Sequence, residues 1–462
     1  MLRDAFGLDV STDSTEALAA WDAAIRSFLE FRLDAIDHGK AMLEADPECA
    51  MSHCLRGILL TGLQSDFLAG KIGEAVAEAE ARTASATPRE RLMIEALRAI
   101  HAGDQPRAIL VWDRILVDHP HDLFALRLQH NAIFWLGRAH GMRDAIARVF
   151  PAWDEGRPGY GFLLGMYCFA LEESGDYARA EPYGRRAVEM NEDDVWSIHA
   201  VSHVLEMQGR LREGAEWLSR PPDIWDDRNP MREHLWWHLA MFEIERGRVD
   251  EVLALYDGRF RAKPTDFYLD IQNCASMLWR LECRDVDVGD RWEELAEACA
   301  GKIEDHALAF TEPHHVMALG RAGRFEEVER VFESLERCAA ERTTWAAGIA
   351  RRLTLPLCRA VAAYCRGEYE AATEILLPIR ADYPLMGASH AQRDVFAQLL
   401  NEAALRGRRY RLARGLLAER VELRPSSADS WSKYADALSG CGEEAASAAA
   451  RTRADECRAA AA

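Results

Sequence analysis

The chain has 462 residues, 49% hydrophobic and 29% charged, the balance of a protein that buries a large core rather than of a disordered chain. Its 56 Lys and Arg stand against 76 Asp and Glu, a formal net charge of −20; an average surface of that sign repels a duplex phosphate backbone, so nucleic acid is not an expected partner. No apolar run approaches the roughly 20 residues that span a bilayer, and Met1–Val10 carries acids where a secretory leader has a basic end, so a cytoplasmic protein with no membrane segment is expected. The 11 cysteines are scattered without a C-x-x-C pair, which predicts reduced, mostly buried thiols.

From about Ser14 to about Leu438, short amphipathic helical patterns are broken every 15 to 20 residues by a Gly-containing turn, and strand signals are nearly absent. Six turns share a form in which a small or β-branched residue follows the Gly at the fifth place: Gly103 with Ala108, Gly175 with Ala180, Gly209 with Gly214, Gly247 with Val252, Gly323 with Val328 and Gly367 with Ala372. Gly lets the chain leave one helix, and a small residue lets the next pack closely. Pro120, Pro264 and Pro384 fall near the far ends of second helices, where a stop is wanted. Gly175 to Gly209 is 34 residues, the tetratricopeptide period. The expected fold is all-α, a tetratricopeptide-like α-α superhelix over residues 1–425, open or closed around a central pocket. Residues 426–462 read as a capping helix and an Ala-rich tail that frays.

Four segments carry a more specific likeness: Arg3-Asp-Ala-Phe-Gly-Leu-Asp-Val-Ser-Thr-Asp-Ser-Thr-Glu-Ala17, Trp196-Ser-Ile-His-Ala-Val-Ser-His-Val-Leu-Glu-Met207, His234-Leu-Trp-Trp-His238 and Ala388-Ser-His-Ala-Gln-Arg-Asp-Val-Phe396. In the same order, and with the rest of the chain between them, they resemble the tetratricopeptide repeat protein 38 family. That resemblance implies a cytosolic α-α superhelix and brings no established reaction with it.

In such solenoids the first helix of each pair lines the concave face, and equivalent positions stack side by side. His199 and His203 are spaced i, i+4, with Glu206 one further turn along, and His234 and His238 repeat the spacing on the next first helix, so each set projects from one helix face. Counting back from the turn glycines aligns His199, His238 and His314, whereas a plain 35-residue offset pairs His199 with His234 and His203 with His238. His130, Asn273, His390, Arg393 and Asp394 fall near the same stripe, and Trp237, Trp196, Trp236, Tyr167 and Phe134 supply apolar walls for a pocket. His53, His101, His119, His121, His140, His306 and His315 lack such company and read as structural. The run Arg406, Arg408, Arg409, Arg411 and Arg414 reads as one solvated face.

No phosphate-binding loop, dinucleotide fingerprint, nucleophile elbow or H-E-x-x-H helix is present in the sequence, which removes the usual nucleotide-driven and hydrolase readings. Three functions stand open. The first is a pocket for a small polar or anionic ligand, with Arg393 as carboxylate anchor and His199, His203, Glu206 and His238 as the catalytic candidates for proton transfer. The second is an adaptor holding a peptide along the groove. The third is a hydrolase or lyase with a divalent transition metal on His199, His203 and His238 and Glu206 as base. A homo-oligomer is compatible with all three.

Overall fold

The computed structural model describes residues 1–221, 223–228 and 231–461. Each expected turn glycine closes a helical hairpin. The helix Val195–Met207 ends at Gly209, whose φ of +66° reverses the chain, and Leu211–Leu218 packs back against it. Gly103, Gly175, Gly247, Gly323 and Gly367 share the left-handed conformation. At the Gly407 turn the residue in that conformation is instead Arg408, with φ +55°, while Gly407 itself stays helical.

The fold is all-α, a tetratricopeptide-like stack of helical hairpins. Among the described residues, strand pairing is confined to Leu2–Arg3 against Asp9–Val10 and one bridge between Arg32 and Arg228. Two-residue strands leave no alternation for the sequence to display.

The two helices of a hairpin differ in burial. Leu211–Leu218 buries Leu211, Gly214, Ala215 and Leu218, the one-sided stripe of a surface helix. Val195–Met207 is buried at every position but its last, and Met231–Glu245 nearly so. An open solenoid would leave the inner faces of these helices in water. Here the superhelix closes on itself, and the C-terminal third of the chain fills its concavity. Trp345 N donates to Gly103 O at 3.0 Å, Arg280 donates to Ala391 O at 3.0 Å, and Ser427 donates to Glu245 at 2.8 Å. The helix His390–Arg406 thereby lies inside the winding, and its N-terminal end meets the end of Tyr160–Glu173.

The Ala-rich end, expected to fray, is a helix of 18 residues, Glu444–Ala461, packed on Ala428–Gly440 through Ser447, Ala450 and Ala454. Small side chains bring the two axes close, which offsets the lack of large apolar groups. All the cysteines are free thiols, and only Cys365 and Cys441 are less than buried. No described helix is long and apolar enough to cross a membrane.

Candidate metal centre and its pocket

Asp194 starts the first histidine helix by accepting from the backbone N–H of Trp196 and Ser197 at 3.1 and 3.2 Å, a side-chain N-cap. The i, i+4 spacing then puts His199 and His203 one above the other, and His234 and His238 do the same on Met231–Glu245. The four rings meet in the core. His199 and His234 lie 5.0 Å apart between ring centroids, His203 and His238 4.5 Å, and His199 and His238 5.0 Å. One nitrogen from each of the four falls within 4.8 Å of the others, and all four residues are buried. His199 thus meets both His234, its partner under the 35-residue offset, and His238, its partner under the glycine count, at the same 5.0 Å. Met231–Glu245 has 15 residues against 13 in Val195–Met207, and the surplus falls before the turn, so counting back from the glycine shifts the alignment.

The ring nitrogens are arranged in two layers. His203 Nε2 and His199 Nε2 are 2.9 Å apart at the centre. Facing outward, His234 Nδ1 lies 3.0 Å from Asn273 Oδ1, His238 Nδ1 3.5 Å from Glu206 Oε2, and His203 Nδ1 3.8 Å from Glu172 Oε2. Neither nitrogen of His238 makes a hydrogen bond, nor does His199 Nδ1 or His203 Nδ1. Burial, then the neighbouring imidazoles, holds His199 and His203 well below the ordinary histidine range, and burial with His238 does the same to His234. His199, His203 and His234 are thus neutral, with lone pairs to offer a cation.

The two outer carboxylates sit in different fields. Burial raises the Glu172 carboxyl to about 7, against the pull of His390, whose Nε2 is 2.9 Å from Glu172 Oε1. Burial also opposes the charge on Glu206, but His238 and the Arg424 guanidinium, 3.4 Å away, outweigh it and hold the carboxyl below its usual range. For His390, burial is outweighed by Glu173 and Glu172, which together raise it to about 9.

Of the other sequence candidates, Trp237 and Asn273 join the cluster. Trp237 stacks on His234 at 5.2 Å and 10°. His390 reaches it only through Glu172. His130 stands one aromatic layer away, against Trp196 and Phe169, with both ring nitrogens unpartnered. Arg393 is not a free anchor: it donates to Gly387 O and Ala388 O and lies 3.5 Å from Glu173. Asp394 is held by Arg420 at 2.7 and 3.1 Å. His314 is elsewhere, its Nδ1 on Phe310 O at 2.9 Å and its ring against Phe396. Tyr167 packs with Phe150 and Tyr183, and Trp236 with Trp225, neither on the cluster.

Sequence reasoning missed Glu172, although the signal was present. Glu172 is three residues before Gly175, as Glu206 is three before Gly209, so the two carboxylates are one position of the repeat. Also missed was Arg127, a fully buried arginine whose guanidinium nitrogens make no hydrogen bond.

Beside His199 and His234 lies a cavity of about 110 Å³ walled by Phe134, Trp135, Phe169, Trp196 and Tyr268, with Asn131 and Gln392 as polar groups. Asn131 and Trp135 also line a second cavity of about 140 Å³, so the two are neighbours along one path. Of the four histidines, His199 and His234 line the first cavity.

No protein-family profile matches the chain. Among solved structures, human IFIT1, in a dimer with PPP-AAAA, aligns over 98% of this chain and 97% of its own with 12% identity and a TM-score of 0.39. The TPR domain of P58(IPK) aligns over 81% of this chain and 97% of its own at 12% identity and a TM-score of 0.22. Naa15/Naa10 bound to HypK-THB aligns over 95% of this chain and 68% of its own at 12% identity and a TM-score of 0.26.

Proposed function

We propose that the protein is a metal-binding helical-repeat protein in which His199, His203, His234 and His238 hold one divalent transition metal, with the aromatic cavity admitting a small ligand to it. The convergence of four buried imidazoles carries this reading. A tetrahedral ion with bonds of about 2.1 Å would set its ligand nitrogens about 3.4 Å apart, inside the 4.8 Å that encloses one nitrogen from each of the four. Without an ion, His238 Nε2 has no partner, and an unsatisfied buried nitrogen costs about 1–3 kcal/mol. Imidazole ligands suit zinc, copper, iron or nickel. Bound by all four imidazoles, the ion would offer Lewis-acid or redox chemistry to a molecule in the cavity only through a fifth coordination position. Glu206 lies behind His238 rather than beside the cavity, so its role here is to orient and polarise that ring, as Glu172 does for His203 and Asn273 for His234.

The peptide-adaptor reading loses support because the groove that would hold a peptide is filled by His390–Arg406. The likeness to the tetratricopeptide repeat protein 38 family belongs to the same proposal and adds no reaction to it. The test is metal analysis of protein purified without a His-tag, followed by titration with Co²⁺ after chelation. We expect about one ion per chain and a ligand-field spectrum that His203→Ala and His238→Ala abolish. Protein that is isolated metal-free and takes up neither Co²⁺ nor Zn²⁺ refutes the reading.

A further inference from the structure

Burying a guanidinium takes its five N–H donors out of water, and a fold normally returns partners to them. The other deeply buried arginines follow that rule. Arg89 donates to Asp122 and to Asp9 O, Arg261 to Glu294 and Thr265 O, Arg280 to Ser276 O and Ala391 O, and Arg420 to Asp394. Arg127 is as buried as any of them, 1% exposed, and its Nε, Nη1 and Nη2 have no partner. What surrounds it is aromatic: the Cζ lies 4.7 Å from the Trp196 ring centroid and 5.4 Å from that of Phe31. The carboxylate acting on it, Asp194, is committed to capping the Val195–Met207 helix and to Ser197 Oγ. One turn along the Arg127 helix, His130 is unpartnered at both nitrogens, and so is the indole N–H of Trp196. Unsatisfied donors are therefore gathered on one side of the cavity wall whose other side faces His199 and His234.

We propose that Arg127 is the anion anchor of this cavity, and that its ligand is a small carboxylate on a flat apolar body. The carboxylate would sit on Arg127, and the body would lie among Phe134, Trp135 and Phe169. This rests on the cavity being a ligand site, as the metal reading holds, and adds the class of ligand. A planar carboxylate matches the two-pronged donor geometry of a guanidinium, and a cavity of about 110 Å³ is near the size that accepts a single six-membered ring. Phe31 and Trp196 stand between the guanidinium and the cavity, so the ligand reaches Arg127 when the Phe31 ring turns aside. That motion unstacks Phe31 from Trp196, their rings lying 5.7 Å apart at 15°. Phe31 is half-buried in the turn after Thr15–Leu29, at φ +58°, a conformation a bulky side chain rarely adopts.

The test titrates benzoate and benzyl alcohol, the same ring with and without the charge, into full-length protein of known metal content by calorimetry. We expect benzoate to bind at least tenfold more tightly than benzyl alcohol. Arg127→Met should remove that preference while leaving metal content and the alcohol affinity unchanged, and Phe31→Ala should keep or strengthen benzoate binding. Equal binding of the two probes, no binding of benzoate, or benzoate binding that survives Arg127→Met would each overturn the proposal. Benzoate binding that survives Arg127→Met and is lost in His238→Ala would place the carboxylate on the metal instead, ending this proposal and leaving the metal reading intact. If Arg127→Met does not fold, wild-type crystals soaked with 4-bromobenzoate decide. A carboxylate within hydrogen-bond distance of Arg127 supports the assignment, and a bromine peak elsewhere or ordered water alone on Arg127 refutes it.

Discussion

Replacing His238 by Ala separates a metal ligand from a structural histidine. His238 is completely buried, its two ring nitrogens make no hydrogen bond, and its Nδ1 stands 3.5 Å from Glu206. The substitution removes roughly 65 Å³ of side chain, and at about 24 cal/mol per Å³ the cavity costs about 1.6 kcal/mol if nothing collapses. Against that, two unsatisfied nitrogens disappear, which at about 1–3 kcal/mol each returns about 2–6 kcal/mol. In metal-free protein the variant should therefore melt at or above the parent's temperature. With metal present the balance changes. An ion at 1,000 times its dissociation constant stabilises the parent by about 4 kcal/mol, which for a chain of this length is roughly 4–8 °C. A centre reduced to three histidines gains little of it. The assay is a pair of thermal melts, with chelator and with Zn²⁺, on parent and His238→Ala. A parent indifferent to both additions, together with a variant that loses more than about 3 kcal/mol in chelator, would show that His238 serves packing alone.

Glu172→Gln, which keeps the shape of the group behind His203 but not its charge, should weaken Zn²⁺ binding about 10- to 100-fold in a competition assay with a coloured chelator, and unchanged affinity would remove Glu172 from the centre. Gly247→Val and Gly209→Val both force a β-branched residue to positive φ, about 1–2 kcal/mol; Gly209 should lose clearly more in a denaturant titration, because a Cβ there runs into the Ser426 hydroxyl whereas the space at Gly247 is open. Stability should fall steeply below about pH 6. Burial holds His130, His199, His203, His234, His314 and His315 below their ordinary pKa, so above about 6.5 neither state takes up protons there, while below it the unfolded chain protonates and the folded one does not. Each group then contributes about 1.4 kcal/mol per pH unit of destabilisation; a melting temperature that is flat from pH 7 to 5 in metal-free protein would contradict these burials.

The hairpins were legible because a turn glycine and the small residue after it are local requirements, visible in one stretch of chain. The four histidines were legible because their spacing is a property of two neighbouring helices. What the sequence hid is non-local. Arg393 and Asp394 looked like pocket groups by position, yet Glu173, brought in by the closing of the superhelix, lies against Arg393, and Arg420, on the next helix of the same hairpin, holds Asp394. Arg127 carried no signal, since its distinction is an absence of partners, and that depends on every element packed round it. Glu172 could have been found by applying the 34-residue period to Glu206.

The closing of the superhelix also divides the centre by the order in which it can form. Its four imidazoles lie on consecutive hairpins, within 40 residues of one another, and can meet as soon as those hairpins pack. The contacts of Glu172 with His390 and of Glu206 with Arg424 each span 218 residues, and such distant pairings form late. Until they do, helices that are buried on nearly every side in the finished fold remain uncovered, and the nascent histidine cluster is open to water. Closure of the last third then seals the centre and leaves the aromatic cavities as its access. If the cluster binds a metal as proposed, the ion would enter before that closure and be held afterwards by the slowness of reopening.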